Sequence, residues 1–422
     1  MALAHRDYRR LIASQLLSLT GSQMQVVAIN WHVYLLTKSP LALGFVGLTR
    51  VVPIIVFSLW GGLVADRSDR RRVMIITQTA MTAVALGLAG ATWLGRESLW
   101  LLYVLNACGA AAVAFDGPSR QALIPRLVPP EDLPGALSLN LSVFQAALIG
   151  GPALSGLLIA QAGPGTRGLS VIYMINAVSF LAVIFALVTM RTSGAPEPTE
   201  GKVEMSAALA EGLRFVFTTP IMVWTMGLDF LATFFSGATS LLPIFADQVL
   251  HVGAKGYGIL AAAPAVGALA GALYLSVRPL PDNQGRIFLW SVIAYGASTV
   301  VFGFSRSFWL TLIALAGTGL ADAISTVIRQ TIRQFVTPDR LRGRMTSINM
   351  IFFMGGPQLG ELEAGLVASL FASTVIGVTV SVVSGGIATI LITAGIAAAA
   401  PMLRRYDYRT NPGGGAVSPS GG

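Results

Sequence analysis

Cysteine is nearly absent from this chain. Its 422 residues include one, Cys108, set within an apolar run, so no disulfide frame and no paired-thiol metal or redox site is available. Histidine is scarce as well. His5, His32 and His251 stand far apart, and no HExxH pair, GxSxG elbow or Walker loop occurs. With no nucleophile–base pair and no metal cluster in view, the expectation is a protein that is not an enzyme, binds no metal and needs no cofactor. Charge is the third shortage: 11% of residues are charged, against about 25% in a soluble domain. Apolar residues take their place, at 54% of the chain, with a mean hydropathy of +0.71. Such a composition belongs in a lipid bilayer. The net charge of +9 invites a nucleic-acid reading. That reading fails, because the arginines fall in short loops between apolar runs and not on one face of a folded domain.

A membrane span needs about 20 mostly apolar residues. Twelve stretches qualify, at approximately 11–36, 41–65, 73–94, 98–119, 136–162, 169–190, 220–246, 256–277, 286–304, 308–328, 344–370 and 374–401. The seventh is the weakest, since Asp229 interrupts it. One set of loops holds most of the arginines, among them Arg6, Arg9, Arg10, Arg67, Arg70 to Arg72, Arg126, Arg191, Arg214, Arg286, Arg340 and Arg404. The other set has only Lys38, Arg96, Arg167, Lys255 and Arg306. The arginine-rich set is therefore expected in the cytoplasm, with both termini. The location expected is the plasma membrane, a bacterial inner membrane, with several passes. Between residues 191 and 220 a Pro- and Gly-rich linker leads into a stretch at 203–217 with an apolar stripe, an amphipathic surface helix by pattern. The expected division is a six-span bundle at 1–192, a cytoplasmic linker with helix at 193–219, a second six-span bundle at 220–402, and a disordered tail at 403–422. The halves also resemble each other. Arg120-Gln121 matches Arg329-Gln330, and Gly150-Gly151-Pro152 matches Gly355-Gly356-Pro357. A six-span repeat of this kind implies an all-α fold of two pseudo-symmetric six-helix bundles, with a substrate site near the bilayer midplane.

One charged turn between two spans carries more than topology. Gly62, Asp66, Arg67, Arg70 and Arg71 are spaced as in the loop signature of the major facilitator superfamily, with Asp69 where that signature has glycine. In the family the aspartate faces a helix start, where roughly half a positive charge resides, and such a contact serves as a conformational switch. Gly151, Pro152, Ser155 and Gly156 are similar to the antiporter motif of proton-driven exporters, with Ser155 in place of glycine. Helix packing by small residues explains them equally well. Asp116, Pro118, Arg120 and Gln121, together with Gly356, Pro357, Gly360, Glu361 and Glu363, are similar to the enterobactin-exporter-like branch, which includes macrolide efflux proteins. The resemblance covers about residues 8–402. It implies export of small siderophore-, macrolide- or drug-like molecules in exchange for protons, by alternating access. A proton-coupled importer or a uniporter is the alternative. Partners are then a small-molecule substrate, protons and lipid, with a monomer expected.

Charged groups in hydrocarbon are functional candidates by default. Arg50 stands about nine residues into its span, roughly 13 Å deep. It either pairs with a carboxylate or receives an anionic substrate. Asp116 with Arg120, and Asp322 with Arg329, share helix faces and read as an inner charge network. Asp229, Glu361 and Glu363 have no base near them in sequence and are the candidate proton carriers. Glu363 shares a stripe with Gly356 and Gly360 that suits helix packing, which ranks it below the other two. Gln25, Asn30, Asn140 and Gln145 are substrate candidates, or else make interhelical hydrogen bonds.

Overall fold

The computed structural model describes residues 2–163, 165–195, 205–277, 282–338 and 342–407. The long helices are α1 (Arg6–Thr37), α2 (Pro40–Arg67), α3 (Arg70–Trp93), α4 (Leu99–Leu123), α5 (Leu133–Gln161), α6 (Arg167–Val188), α7 (Met205–Thr218) and α8 (Pro220–Phe235). They continue with α9 (Gly253–Ser276), α10 (Gln284–Phe304), α11 (Phe308–Val336), α12 (Arg342–Ser369) and α13 (Thr374–Ala399). Ten helical stretches among the described residues are long and apolar enough to cross a bilayer. The other two expected spans fall on α1 and α12. These have the length, at 32 and 28 residues, but carry more polar side chains. Of the stretch at 203–217 expected to be a helix, the part from Met205 onward is helical, as α7. The linker at 196–204, with Lys202 and Glu204, and residues 408–422 lie outside the described residues, as does Arg340; the expected disorder from 403 is corrected for its first residues, since Leu403 and Tyr406 are buried in the core of the second unit.

Helix starts follow local chemistry. Ser39 caps α2, its side chain accepting from Ala42 N at 3.4 Å, with Pro40 in the first turn. Ser98 caps α4 through Leu101 N at 3.3 Å. These side chains satisfy amides that a helix leaves unpaired, and proline loses nothing at the first position. The seventh span does not break at Asp229. The α8 helix runs through it and ends at Phe235, and the chain resumes in short turns and a π-helical turn at Phe245–Val249. The step is satisfied locally: Ser236 Oγ and Thr389 Oγ1 are 2.8 Å apart, and Thr389 also donates to Ala232 O.

The chain forms two compact units: Met1–Pro198 with Ser240–Ala262, and Thr199–Thr239 with Ala263–Gly422. In the first, α1 packs on α5 and α6, α2 on α4, and α3 on α4 and α6. Tyr8, Leu11, Met74, Leu123 and Leu187 pack together near the N-terminus, and Tyr8 Oη donates to Ala136 O at 2.7 Å. In the second, α12 packs on α8 and α13, and α10 on α11 and α13. Ile221, Met222, Phe288, Ile328 and Leu403 form its buried cluster. The internal repeat is visible within each unit taken separately. Gly151 on α5 lies against Thr20 O of α1, and Gly356 on α12 lies against Phe230 O of α8. Outward faces are strongly apolar: Ile76 is 69% exposed and Leu391 65%. Exposed Trp93, Trp100 and Trp309 sit at helix ends, the level of the lipid headgroups.

Candidate functional site

The family signature loop is a capped helix start. Asp69, the residue that departs from the pattern, accepts from Arg71 N at 2.9 Å and Arg72 N at 3.2 Å and so begins α3. A glycine there offers no such cap. Gly62 meets nothing within 4 Å; its neighbour Gly61 makes the close approach, against Ala114 O of α4. The side chains of Asp66 and Arg67 lie outside the described residues. Arg70 and Arg71 hold chain that follows α6. Arg70 N donates to Gly194 O at 3.0 Å, and Arg71 Nη2 donates to Val188 O at 2.8 Å. Arg126 donates to Ala195 O. Asp7 accepts from Arg191 N, Thr192 N and Thr192 Oγ1 at 2.8–3.0 Å. Burial works against the charged Asp7, but these bonds, with Arg10 nearby, outweigh it and hold the carboxyl below its usual pKa. A side chain at position 194 has no space, since a Cβ there comes within 2.7 Å of Arg71 N. The start of the linker is therefore strapped to the loop.

Beneath that loop, Asp116 is 3% exposed and pairs with Arg120 one turn away. Its other oxygen accepts from Thr77 Oγ1 at 3.0 Å and Gln78 Nε2 at 2.9 Å. The two α3 partners were not foreseen from the sequence. A glutamine inside an apolar run was the available signal.

The second unit has its own charge centre. Asp229 on α8 pairs with Arg329 on α11. The sequence has no base near Asp229; the fold supplies one from one hundred residues away. Asp322 lies 3.7 Å from the same guanidinium and is half exposed. Arg329 also donates to Thr326 Oγ1 at 2.7 Å. Asp322, Thr326, Arg329 and Arg333 recur at helical spacing, so α11 presents one charged stripe. A small recess of about 30 Å³, open in part to solvent, is bounded by Asp229, Arg329, Arg333, Gln330, Asn349 and Phe352.

The remaining candidates sort by whether they are already bonded. Gln25 accepts from Asn176 Nδ2 at 2.8 Å, an α1–α6 tie. Asn30 is 7% exposed, and its Oδ1 finds no partner among the described residues. Arg50 on α2, Asn140 and Gln145 on α5, and Glu363 on α12 make no hydrogen bond or ion pair among the described residues, and all four are half-buried. Glu361 is engaged. The antiporter-like motif is a packing surface: Ser155 Oγ donates to Met24 O at 3.1 Å, and Gly156 faces Gly258 of α9. Near that crossing, Trp31 stacks on Tyr257, and Tyr34 Oη donates to Asp247 Oδ2 at 2.5 Å.

Helices sheathed in apolar side chains, crossings built on small residues, a repeated helix pairing in each unit and charge confined to a few polar centres define a polytopic membrane transporter of the major facilitator type. Residues 1–410 match the family model of the transmembrane secretion effectors, and the chain belongs to that family. It is 25% identical over 404 residues to the multidrug efflux pump Tap of Mycolicibacterium fortuitum, covering 93% of this chain and 95% of that one. It is 25% identical over 361 residues to the enterobactin exporter EntS of Citrobacter koseri, covering 86% and 85%. Among solved structures, it resembles a bacterial homologue of the human lysosomal transporter Spinster, with a TM-score of 0.73 and 16% identity over 95% of this chain and 99% of that one. A bacterial homologue of the iron transporter ferroportin aligns with a TM-score of 0.65 and 20% identity over 92% and 99%. The protein is a multi-pass membrane transporter of the transmembrane secretion effector family and is not an enzyme.

Proposed function

We propose that this transporter exports a small amphipathic compound bearing an acidic group, in exchange for protons, by alternating access. The observation that carries the reading is Arg50. It is a cation deep in α2, and no described residue pairs with it. A guanidinium in a span without a carboxylate is costly, and an anionic group on the substrate offsets that cost during transport. Asn140 and Gln145, also unbonded, supply polar contacts on α5. For the proton, Glu363 moves to first place, because it has no partner among the described residues while Asp229 is held by Arg329. The arginine bias of the loops supports a cytoplasmic signature loop and cytoplasmic termini, and the 193–219 segment lies on the same side. The proposed division remains six spans, linker, six spans, in a monomer.

The test is transport into inverted vesicles under an imposed pH gradient, with a panel of siderophores, macrolides and dyes. Uptake of acidic members, lost when the gradient is collapsed, is the expected result. Arg50→Ala lowers uptake of acidic compounds more than of cationic ones, and Glu363→Gln removes uphill movement while binding persists. Uptake in right-side-out vesicles only, or uptake indifferent to the gradient, would replace the reading with an importer or a uniporter.

A further inference from the structure

Where α10 begins, the second unit carries a groove that the transport cycle above leaves unused. Its volume is about 360 Å³. The walls are Arg286, Leu289, Trp290 and Ile293 of α10, Ala397 of α13, and Arg404 of the short helical turn Pro401–Arg404. The four α10 positions recur at i, i+3, i+4 and i+7, so one face of that helix supplies a cation at the rim and an apolar floor below it. Seven residues at 1.5 Å each make that floor about 10 Å long. Trp290 is 67% exposed, so the groove faces outward, where lipid surrounds a membrane span. An indole next to an arginine suits the boundary between headgroups and acyl chains.

The rim is held in place. Gly285 N donates to Tyr406 O at 3.1 Å, and Gly285 abuts Leu403 O with no room for a side chain. Leu403 and Tyr406 are both buried. Arg404 is exposed and follows Leu403 directly, and Arg286 is exposed and follows Gly285. The two arginines are thus carried by stretches of backbone pinned to each other. Neither guanidinium makes a hydrogen bond or ion pair among the described residues. The acids nearest in sequence, Asp282 and Asp407, have partners of their own, Asp407 accepting from Asn283 N at 3.2 Å. Two like charges on one rim repel each other, and an anion between them relieves that repulsion. Guanidinium forks match phosphate oxygens in particular.

The floor decides what carries the phosphate. A free phosphate would use the rim and leave the apolar floor uncovered. A zwitterionic lipid would bring its own cation toward two arginines. A second copy of the chain in a two-fold pair would set the same patch on both sides, arginines against arginines. We propose that this groove binds one anionic phospholipid, its phosphate held between Arg286 and Arg404 and an acyl chain lying along Leu289, Trp290, Ile293 and Ala397. Bound there, the lipid ties the start of α10 to the turn that follows α13. The binding stands by itself; placing it in the cytoplasmic leaflet rests on the orientation proposed above.

Full-length protein in micelles is titrated with phosphatidylglycerol, with phosphatidylethanolamine of the same acyl chains, and with inorganic phosphate, and retained adducts are read by native mass spectrometry. The expected result is one phosphatidylglycerol retained in preference to phosphatidylethanolamine and not displaced by phosphate. Arg286→Ala and Arg404→Ala should each weaken that binding about fivefold, the attraction of one basic residue for an anionic lipid surface. Arg405→Ala, at an exposed arginine outside the groove, should leave it unmoved. Equal retention of the two lipids, displacement by phosphate, or a loss in Arg405→Ala as large as in Arg286→Ala overturns the proposal. So does a dimer that Arg286→Ala dissolves, which would make the groove an interface between copies. Where an alanine variant fails to assemble, Arg286→Lys and Arg404→Lys replace it; they keep the charge, lose the fork, and must still weaken phosphatidylglycerol binding, though by less.

Discussion

Asp229→Asn tests the charge centre of the second unit most sharply. Arg329 is 12% exposed in its side chain, and Asp229 is equally buried. Removing one member of a buried pair costs about 3–5 kcal/mol, because the other charge is stranded. Here a reserve exists. Asp322 lies 3.7 Å from the same guanidinium, and at an effective dielectric of about 20 that attraction is worth about 4 kcal/mol before desolvation. Part of the loss is recovered, so the expected cost is about 3 kcal/mol, at the low end of that range. Asp322→Asn removes a half-exposed acid and should cost under about 1 kcal/mol. The double change Asp229→Leu with Arg329→Met removes both charges and should return stability to within about 1 kcal/mol of wild type, since a well-packed apolar pair replaces a buried ionic one at little cost. Reversible unfolding in mixed micelles measures all three. An Asp322→Asn variant less stable than Asp229→Asn, or a double variant no better than Asp229→Asn, would refute the pairing and place the stabilisation elsewhere.

Other expectations rest on separate features. Gly156→Ala puts a methyl 2.6 Å from Gly258 Cα and 2.7 Å from Ala254 O, so it should cost about 1–3 kcal/mol; Gly150→Ala, with nothing within 4 Å, should be neutral in the same thermal assay. Asp7 has a pKa lowered from 3.8, so its grip on the strap is complete above that value and is lost as pH falls through the lowered one. A spin label at position 193 should therefore stay immobile from pH 8 to 5 and loosen only in stronger acid, whereas Asp7→Asn should loosen it at every pH. Cysteines placed at positions 38, 96 and 306 should label from outside intact cells, and one at position 200 should not. Labelling at position 200 would reverse the proposed orientation.

The sequence made most of the helices legible, because hydropathy and small-residue spacing are local signals. The α7 stripe and the Gly356–Gly360 packing face emerge from periodicity alone, and the latter lies against Phe230, Thr233 and Phe234 of α8. Ion pairing was less legible. Asp116 and Arg120 share one helical turn and were readable as a pair, but Asp229 and Arg329 meet only through tertiary folding. That pairing balances the acid within the seventh span, whose helix runs on to Phe235. The π turn at Phe245–Val249 left no trace in the hydropathy pattern. Asp69 stood out in the sequence only as a departure from the family pattern, and its role as a helix cap emerged with the fold.

The strap on the signature loop has a consequence for how this chain can be rewritten. Arg70, Arg71 and Arg126 grip Gly194, Val188 and Ala195 through main-chain oxygens, and Asp7 takes main-chain amides plus one hydroxyl, that of Thr192. Oxygens and amides are common to nearly every residue, so the loop recognises the path of the linker and scarcely its spelling. A library randomised across positions 191–195 should accept almost any letter, with two exceptions. Position 194 has no room for a side chain, and position 192 benefits from a hydroxyl. Insertions that change the path should fail where substitutions succeed, which makes the length of this segment the heritable information and its composition largely free.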